Sequence, residues 1–220
     1  MTGGNRKKVL ITAGPTHEAI DPVRFIGNYS TGKMGYAIAD AFAGAGYEVL
    51  LISGPTSVSP SNKSVRVIRV DTASEMYEAC LKEIDGIDVA VFSAAVADYT
   101  PLKKADRKIK RTGEEMLLRL IPTKDIAAEM GKLKKAGQIF VGFALETEEG
   151  VEQAKSKLER KNLDLIVLNS LKDKGAGFGT DTNKVALIDK SGNIDNFEVK
   201  PKKEVAFDIL DKTEKLMGNA

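Results

Sequence analysis

The chain has 220 residues, enough for one large α/β domain or two small ones. A net charge of +2 excludes a global positive field of the kind that drives non-specific nucleic-acid binding. The single cysteine, Cys80, excludes an intrachain disulfide and a cysteine metal cluster, and it favours a reducing, cytoplasmic environment. Residues 1–7 are predicted to be a leader or a processing remnant within a single domain of residues 1–220.

Apolar runs alternate with helical patterns along the chain. Lys8–Ala13 and Glu48–Ser53 are typical of strands buried on both faces. Residues 31–45 between them have helical spacing, and Gly46 is typical of the residue after a helix. Residues 65–70 alternate in polarity, which predicts a strand near a sheet edge. The other predicted strands are 88–94, 138–144 and 163–169, the other helices are 72–84, 124–136, 148–160 and 201–216, and 184–199 is a predicted hairpin.

This alternation predicts an α/β fold: a doubly wound, mostly parallel, Rossmann-like sheet with helices on both faces and a C-terminal β-hairpin. Ligands in such sheets bind outside the carboxyl ends of the strands, near the switch in strand order. The loops that should share this rim follow Ala13, Ser53, Ala94, Ala144 and Asn169.

The stretch GNYSTGKMG, residues 27–35, has the spacing of a phosphate-binding P-loop. It begins well after the first predicted strand, however, and Met34 stands where a magnesium-binding Ser or Thr is required. A dinucleotide G-x-G-x-x-G fingerprint is absent there. Free N–H groups at a helix start favour an anion, so this stretch is a candidate anion site. The alternative is that Ser30 or Thr31 merely caps the helix, and the two roles can coexist.

Two further stretches follow on the predicted rim. SAAVADY, residues 93–99, has small side chains that allow close approach to the backbone, and Asp98 supplies either a rim carboxylate or a helix cap. In residues 103–111, KKADRKIKR, six of nine residues are basic. This segment is predicted to pair with residues 115–121, so 99–121 is interpreted as a basic strap and dimerisation hairpin. The alternative is a solvated charged face; nucleic-acid binding is disfavoured because only Tyr99 is near for stacking.

Five blocks together carry a family resemblance: ITAGPTHEAIDPVRFIGNYSTGKMG, SAAVADY, KIKR, VGFALET and RKNLDLIVLN. They resemble bacterial phosphopantothenoylcysteine synthetase, the phosphopantothenate–cysteine ligase of coenzyme A biosynthesis, from residue 8 to about 216. The form of the first block resembles the synthetase half of the bifunctional enzyme, in which a flavin-dependent decarboxylase precedes it. The chain is therefore expected to be one half of such an enzyme.

The resemblance implies a reaction in two steps. The carboxylate of 4′-phosphopantothenate attacks the α-phosphate of CTP, giving an acyl-cytidylate and pyrophosphate. The amine of L-cysteine then attacks the acyl group and releases CMP. The resemblance also implies Mg²⁺, with ligands that the sequence leaves open, and a homodimer with shared active sites. CTP rather than ATP rests on the resemblance alone.

Residue roles follow from the matched motifs. Asn28 and Lys108 are the expected catalytic residues. Lys157 and Lys161 match positions near CTP, although the predicted sheet places their helix end away from the rim. Phe143 is expected to pack on the base or ribose. The full expected nucleotide-binding set is Phe92, Ser93, Ala94, Asp98, Lys108, Thr123, Lys124, Asp125, Ile126, Phe143, Lys157 and Lys161, and the expected substrate-phosphate set is Ser30, Thr31, Gly32, Lys33 and Met34.

One departure and two rival functions remain open. The family's segment often reads NPDI, but this chain has Thr123-Lys124, so those two side-chain roles stay open. An NAD(P)-dependent oxidoreductase would need a ribose-binding acid after the second strand, where the chain has Ser53-Gly54-Pro55. A non-catalytic nucleotide-binding module would bind CTP without releasing pyrophosphate.

Overall fold

The computed structural model describes residues 6–111, 113, 115–146, 150–170, 177 and 179–218. In chain order its elements are β1 (Lys8–Ala13), β2 (His17–Asp21), β3 (Arg24–Gly27), α1 (Lys33–Gly44), β4 (Glu48–Ser53), β5 (Arg66–Arg69), α2 (Ala73–Glu83), a 3-10 turn (Ile84–Gly86), β6 (Val89–Phe92), β7 (Tyr99–Pro101), β8 (Leu120–Pro122), α3 (Ile126–Leu133), β9 (Ile139–Glu146), α4 (Gly150–Arg160), β10 (Leu165–Ser170), β11 (Thr182–Asn183), β12 (Val185–Asp189), β13 (Ile194–Asn196), β14 (Lys200–Pro201) and α5 (Lys202–Gly218).

The main sheet has the strand order β13-β12-β10-β9-β6-β1-β4-β5 within the described residues. All neighbours from β10 to β5 are parallel, whereas β12 and β13 are antiparallel and extend the sheet as a hairpin. The predicted fold class is therefore confirmed, as are the edge position of β5 and the C-terminal hairpin. The strand order reverses between β1 and β6, because the chain moves from β1 to β4 on one side and returns to β6 on the other. A crevice is expected at this point.

The helices cover both faces of the sheet, as predicted. α1 and α5 share one core cluster with Val9 and Ile11 of β1, and α2, α3 and α4 share the cluster on the other face with Leu10, which lies between them. Neighbouring residues of a strand point to opposite faces, so one buried strand serves both cores. No helix within the described ranges is long and apolar enough to cross a lipid bilayer.

The start of α1 differs from the predicted capped start. Gly32 is the N-cap, with φ of 79°, and no side chain accepts a hydrogen bond from the first turn. Ser30 Oγ instead accepts from the Gly32 N–H at 3.3 Å, so a cap by Ser30 or Thr31 is wrong. A Cβ on Gly32 would lie 3.3 Å from the Gly14 Cα. The positive φ and this contact both favour glycine, and they leave the first turn of α1 open to a ligand.

Other boundaries follow local capping. The capping box of Thr72 and Glu75 opens α2 as predicted, and Gly46, with φ of 91°, follows α1 as predicted. α3 is shorter than predicted because Asp125 caps it and accepts from the Ala128 N–H at 3.1 Å. The predicted start of the next helix at residue 148 lies outside the described residues.

Two short pairs of strands lie beyond the main sheet. β2 and β3 form a hairpin inside the long first loop, which the sequence analysis did not predict. β7 pairs with β8, so the predicted pairing of residues 103–111 with 115–121 is wrong. Lys108 and Lys110 lie in no described strand. Thr112 and Glu114, in the predicted turn, lie outside the described residues.

A buried carboxylate fixes the basic segment on the β2–β3 hairpin. Asp21 is 2% exposed and accepts hydrogen bonds from the backbone N–H groups of Val23 at 2.9 Å and Ile109 at 3.1 Å. Arg24 donates to Asp21 through Nε at 3.0 Å and to the Ile109 carbonyl through Nη2 at 3.2 Å. The Arg24 guanidinium holds the pKa of Asp21 well below its usual range. The carboxylate is therefore the link between the hairpin tip and the basic segment.

The first turn of α1 lies directly on the strand ends at the crevice. A Cβ on Gly35 would come within 2.5 Å of the Ala13 Cβ and 2.6 Å of Ser93 Oγ. Ala13 ends β1, and Ser93 follows β6. Because any side chain at position 35 would push the helix away, this glycine sets the distance between the helix start and the rim.

Gly35→Ala is expected to lower the free energy of unfolding by about 1–3 kcal/mol, because the new methyl group overpacks against two backbone-anchored neighbours. Urea denaturation measures this change. The matched control is Gly44→Ala on the same helix, where a Cβ meets nothing within 4 Å, and it should be neutral or slightly stabilising. Equal effects of the two substitutions would contradict the close contact at Gly35.

Asp21→Asn is expected to lower the melting temperature at pH 7. A carboxyl whose folded pKa is depressed stabilises the fold above its unfolded pKa of about 4, and this stabilisation is lost as the pH falls towards the folded pKa. The difference from the unsubstituted protein should therefore narrow below about pH 4. Thermal melts between pH 7 and pH 3 test this, with Asp211→Asn, on the exposed side of α5, as the control. Parallel curves for Asp21→Asn and the unsubstituted protein would rule out the carboxylate link.

Candidate functional site

A cavity of about 440 Å³ opens at the carboxyl ends of β1, β6, β9 and β10, at the switch in strand order. This volume lies within the range of small-molecule sites. Its walls come from the start of α1 on one face of the sheet and from the start of α3 and the end of α4 on the other. The rim rule applied to the sequence therefore found the correct edge of the sheet.

The cavity gathers all but one of the residues expected to bind ligands. The residues it brings together are Asn28, Ser30, Thr31, Gly32, Lys33, Met34, Phe92, Ser93, Ala94, Asp98, Thr123, Lys124, Asp125, Ile126, Phe143, Lys157 and Lys161.

Lys108 is the exception. Its side chain is exposed and does not line the cavity. Its neighbour Ile109 is held at the tip of the β2–β3 hairpin by Asp21, whereas Asn28 follows the other end of β3. The full length of β3 therefore separates the two expected catalytic residues within one chain.

The loop after β6 is pinned to the end of β1. Ser93 Oγ donates to the Thr12 carbonyl at 2.7 Å, and the Ala94 N–H donates to Thr12 Oγ1 at 3.2 Å. Asn28 Nδ2 donates to the carbonyls of Ala95 at 3.0 Å and Val96 at 3.1 Å. Two carbonyl acceptors require the amide nitrogen on that side, so the amide oxygen is the atom left to contact a ligand.

On one wall, the start of α1 carries positive charge. Lys33 Nζ lies 2.7 Å from Asp181 Oδ1, and both side chains are substantially exposed. The hydrogen bond from Lys33 lowers the pKa of Asp181. Together with the open first turn of α1, Lys33 makes this wall suited to an anion.

On the opposite wall, an ion pair links Asp125, at the start of α3, to Lys161, just after α4. Lys161 Nζ lies 2.9 Å from an Asp125 carboxylate oxygen. A Cβ on Gly131 would come within 2.1 Å of the Lys161 carbonyl oxygen, so α3 packs directly on the chain after α4. Lys157 and Lys161 both line the cavity. The end of α4 itself lies away from the rim, as expected, because the chain after it joins the amino ends of β9 and β10, where the Asp164 N–H donates to the Phe140 carbonyl at 2.8 Å.

The departure at residues 123 and 124 has a local explanation. Thr123 donates its N–H to the Asp98 carbonyl at 2.9 Å and its Oγ1 to the Ala97 carbonyl at 2.6 Å. Lys124 Nζ lies 3.9 Å from the centre of the Tyr77 ring, a cation–π contact. Thr123 therefore ties the start of α3 to the SAAVADY loop.

Several residues that line the cavity were not predicted from the sequence as site residues. Asn169 is 9% exposed, and its Oδ1 has no hydrogen-bond partner in the described part of the chain. It ends a predicted strand, so the rim rule was a signal that could have identified it. No comparable signal marked Lys202, at the start of α5, because the strands whose ends line the cavity are distant from it in sequence. The missed lining residues with polar side chains are Thr12, Asn169, Asn183 and Lys202.

Within the described residues, no cluster of three or more His, Cys, Asp or Glu side chains could hold a metal ion. The cavity does contain the carboxylates of Asp98 and Asp125, and Asp125 is already paired with Lys161. Mg²⁺ is commonly held by one or two carboxylates together with substrate phosphates and water. Asp98 therefore fits a magnesium ion that arrives with a phosphorylated ligand.

Known proteins with similar sequences point to one family. The chain is 49% identical over 204 residues to the coenzyme A biosynthesis bifunctional protein CoaBC of Bacillus subtilis (strain 168), covering 93% of this chain and 50% of that protein. It is 58% identical over 208 residues to a protein named cysteine/cysteine sulfinic acid decarboxylase from an unknown prokaryotic organism, covering 94% of this chain and 58% of that protein. The chain thus spans little more than half the length of these relatives.

Solved structures and the family match agree. The crystal structure of the C-terminal domain of CoaBC superposes with a TM-score of 0.82 at 41% identity, covering 98% of this chain and 99% of that one. Residues 5–217 match the family described as DNA/pantothenate metabolism flavoprotein C-terminal domain. The chain therefore belongs to this family, and the predicted resemblance to the synthetase half of the bifunctional coenzyme A biosynthesis enzyme is confirmed.

Proposed function

We propose that this chain joins 4′-phosphopantothenate to L-cysteine, with CTP as the activating nucleotide, in coenzyme A biosynthesis. The observation that carries the proposal is one cavity with a cationic wall on each face of the sheet and Asn28 at its rim. Such a cavity suits two phosphorylated ligands held with their reacting groups between the walls. Family membership supports the choice of ligands.

In the proposed first step, a carboxylate oxygen of phosphopantothenate forms a bond to the α-phosphorus of CTP. The bond from that phosphorus to the bridging oxygen breaks, and pyrophosphate leaves with the electron pair. Phosphoryl chemistry of this kind needs alignment and charge stabilisation more than a protein nucleophile. Lys157, Lys161 and the start of α3 would supply the charge on one wall, and the start of α1 would hold the substrate phosphate on the other.

In the proposed second step, the cysteine amine forms a bond to the acyl carbon and CMP leaves with the electron pair of the acyl–phosphate bond. The attacking amine must lose a proton. The side-chain N–H groups of Asn28 donate to the carbonyls of Ala95 and Val96. Its amide oxygen is therefore placed to accept a hydrogen bond from that amine. Asn28 would then orient the amine and stabilise the positive charge that develops on it.

Magnesium bound with CTP would offset the charge of the triphosphate, and Asp98 is the carboxylate best placed to hold it. The decarboxylase name of one relative belongs to that protein. We assign the activity in that name to the part of the relative that this chain does not cover, and we propose a fused decarboxylase domain in the full-length protein.

A homodimer with shared sites accounts for the position of Lys108. Large apolar side chains are exposed on and just after the β2–β3 hairpin and in residues 99–121, among them Phe25 at 52%, Tyr29 at 92% and Leu117 at 93%. Contiguous exposed apolar surface often marks an interface, and these side chains would be part of it. We propose that Lys108 of the partner subunit reaches the triphosphate, since Lys108 of the same chain lies outside the cavity.

The proposed function is tested by measuring pyrophosphate release from CTP and Mg²⁺, with phosphopantothenate and cysteine added separately and together. Release that requires phosphopantothenate, and product that requires cysteine, would support the ligase. Binding of CTP without release would instead indicate a non-catalytic nucleotide module. Parallel reactions with ATP decide the nucleotide, and carbon dioxide release from cysteine alone would point to decarboxylation.

Asn28→Asp is expected to permit a burst of about one pyrophosphate per site but to slow capture by cysteine about 100-fold or more, the size typical of one lost preorganised polar contact. An aspartate cannot donate to the Ala95 and Val96 carbonyls, so its carboxylate will not hold the same position. Rapid-quench measurement of the acyl-cytidylate tests this, with exposed Asn196→Asp as the control. Unchanged single-turnover capture would refute the role of Asn28.

Lys108→Gln and Asn28→Asp are each expected to inactivate the homodimer. The mixture formed by co-expression should recover about a quarter of the wild-type activity, since about half of its dimers would carry one intact site of two, and the purified heterodimer should therefore recover about half. Differently tagged subunits allow the heterodimer to be purified and assayed. Lys103→Gln, in the same exposed segment, is the control. A heterodimer as inactive as its parents would show that Lys108 does not act across the interface.

A further inference from the structure

Lys202 is a buried cation at the cavity wall. It is 8% exposed and is the first residue of α5. Its Nζ donates to the Gly177 carbonyl at 3.1 Å and to the carbonyl and hydroxyl oxygens of Thr180. Within the described part of the chain, these hydrogen-bond partners are neutral oxygens. These hydrogen bonds therefore bring no opposite charge to the ammonium group, and the side chain is largely shielded from water.

This placement is unfavourable for folding alone. Burial lowers the pKa of Lys202, and nearby Lys33 lowers it further. The start of a helix is also the positive end of its dipole, where a cation is disfavoured. A charge buried without a contacting counter-ion costs free energy that an apolar or neutral side chain would avoid. Violations of local rules of this kind are typical of functional sites.

Two other features of the same cavity point to a ligand: positive potential, which suits an anion, and a buried acceptor, which suits a hydrogen-bond donor on the same ligand or a water. The open first turn of α1 and Lys33 contribute positive potential on the wall shared by α1 and α5. Asn169 presents a buried Oδ1 without a partner in the described residues, and it also lines the cavity. A buried acceptor left unpaired is uncommon in proteins and often marks a site completed by a ligand or water.

The segment held by Lys202 also carries the counter-ion of Lys33. Thr180, which accepts two of the Lys202 hydrogen bonds, is followed by Asp181, whose carboxylate contacts Lys33 Nζ at 2.7 Å. Asp181 is exposed and does not line the cavity, whereas Lys33 does. Lys33 is therefore turned towards a carboxylate on the segment that Lys202 holds.

We propose that Lys202 is a positioning residue that supplies a fixed positive charge to a phosphate-bearing ligand at the start of α1 and holds Asp181 as the exchangeable partner of Lys33. On binding, Lys33 transfers from Asp181 to the ligand phosphoryl oxygens. The identity of the ligand rests on the proposed function: it is either the phosphate monoester of phosphopantothenate or the triphosphate of CTP. Both present the same oxyanion chemistry.

The test measures direct binding of phosphopantothenate and of CTP, each alone, by calorimetry. Lys202→Gln keeps N–H donors for the Gly177 and Thr180 carbonyls but removes the charge, and Lys202→Arg keeps the charge. Lys202→Gln should weaken binding of at least one ligand about tenfold, equivalent to about 1.4 kcal/mol, and Lys202→Arg should restore most of the affinity. Lys203→Gln, the exposed neighbour, is the matched control and should stay within about twofold.

Comparing the two ligands shows whether Lys202 acts on the phosphate of phosphopantothenate or on the triphosphate of CTP. A loss of affinity for either ligand supports the inference. Affinities of Lys202→Gln within twofold of the wild type for both ligands would overturn it, as would an equal loss in Lys203→Gln. Asp181→Asn, which frees Lys33, provides a second test that does not depend on the folding of the Lys202 variants. It should tighten binding of the same ligand two- to fivefold, and unchanged or weaker binding would contradict the exchange.

Failure of this inference and failure of the proposed function give different results. A wild-type protein that binds either ligand but releases no pyrophosphate would end the proposed ligase, while the variants would still decide the role of Lys202. A wild-type protein that makes product, with Lys202→Gln binding both ligands normally, would end the inference alone. A wild-type protein that binds neither ligand would end both.

Discussion

The site depends on the close contact between the first turn of α1 and the ends of two central strands. That contact exists only because position 35 has no side chain: a Cβ there would come within 2.5 Å of Ala13 and 2.6 Å of Ser93. The positive φ of Gly32 then leaves the first N–H groups uncapped and turned towards the rim. Two backbone positions thereby convert an ordinary strand-to-helix connection into a surface suited to an anion.

The sheet divides the cavity into two walls with separate sources of charge. α1 and α5 lie on one face with Lys33 and Lys202, and α3 and α4 lie on the other with Lys157 and Lys161. Asp181 pairs with Lys33 on one wall and Asp125 pairs with Lys161 on the other, at 2.7 Å and 2.9 Å. Each pairing reduces the unbalanced charge of its wall. A chain with a net charge of only +2 therefore concentrates cationic side chains on two faces of one cavity.

The sequence predicted the central sheet well because buried parallel strands are continuous apolar runs, and β1 and β4 begin and end where the pattern placed them. It failed where stability comes from contacts distant in sequence. The β2–β3 hairpin has strands of only five and four residues that lie outside the main sheet, so no apolar run marks it. The sheet geometry predicted the position of the helix end that carries Lys161 but not the reach of its side chain to the cavity, because the packing of Gly131 on the Lys161 carbonyl is encoded by no periodicity in either helix. Lys202 reaches the cavity through the turn of the chain before α5, which is likewise invisible to local patterns.

The contrast between Thr123 and Asn28 shows which site positions require a given side chain and which require only backbone. Thr123 differs from the asparagine usual in the family, yet its N–H still bonds the Asp98 carbonyl at 2.9 Å, a contact that any residue except proline can make. Its hydroxyl adds a bond to Ala97. Asn28 has no such freedom, because two carbonyls 3.0 Å and 3.1 Å away require two N–H donors from one planar amide whose oxygen still faces outward. An aspartate lacks the donors and a leucine lacks both functions, so the contacts at position 28 depend on its side chain, whereas the contact from Thr123 to Asp98 depends on its backbone alone.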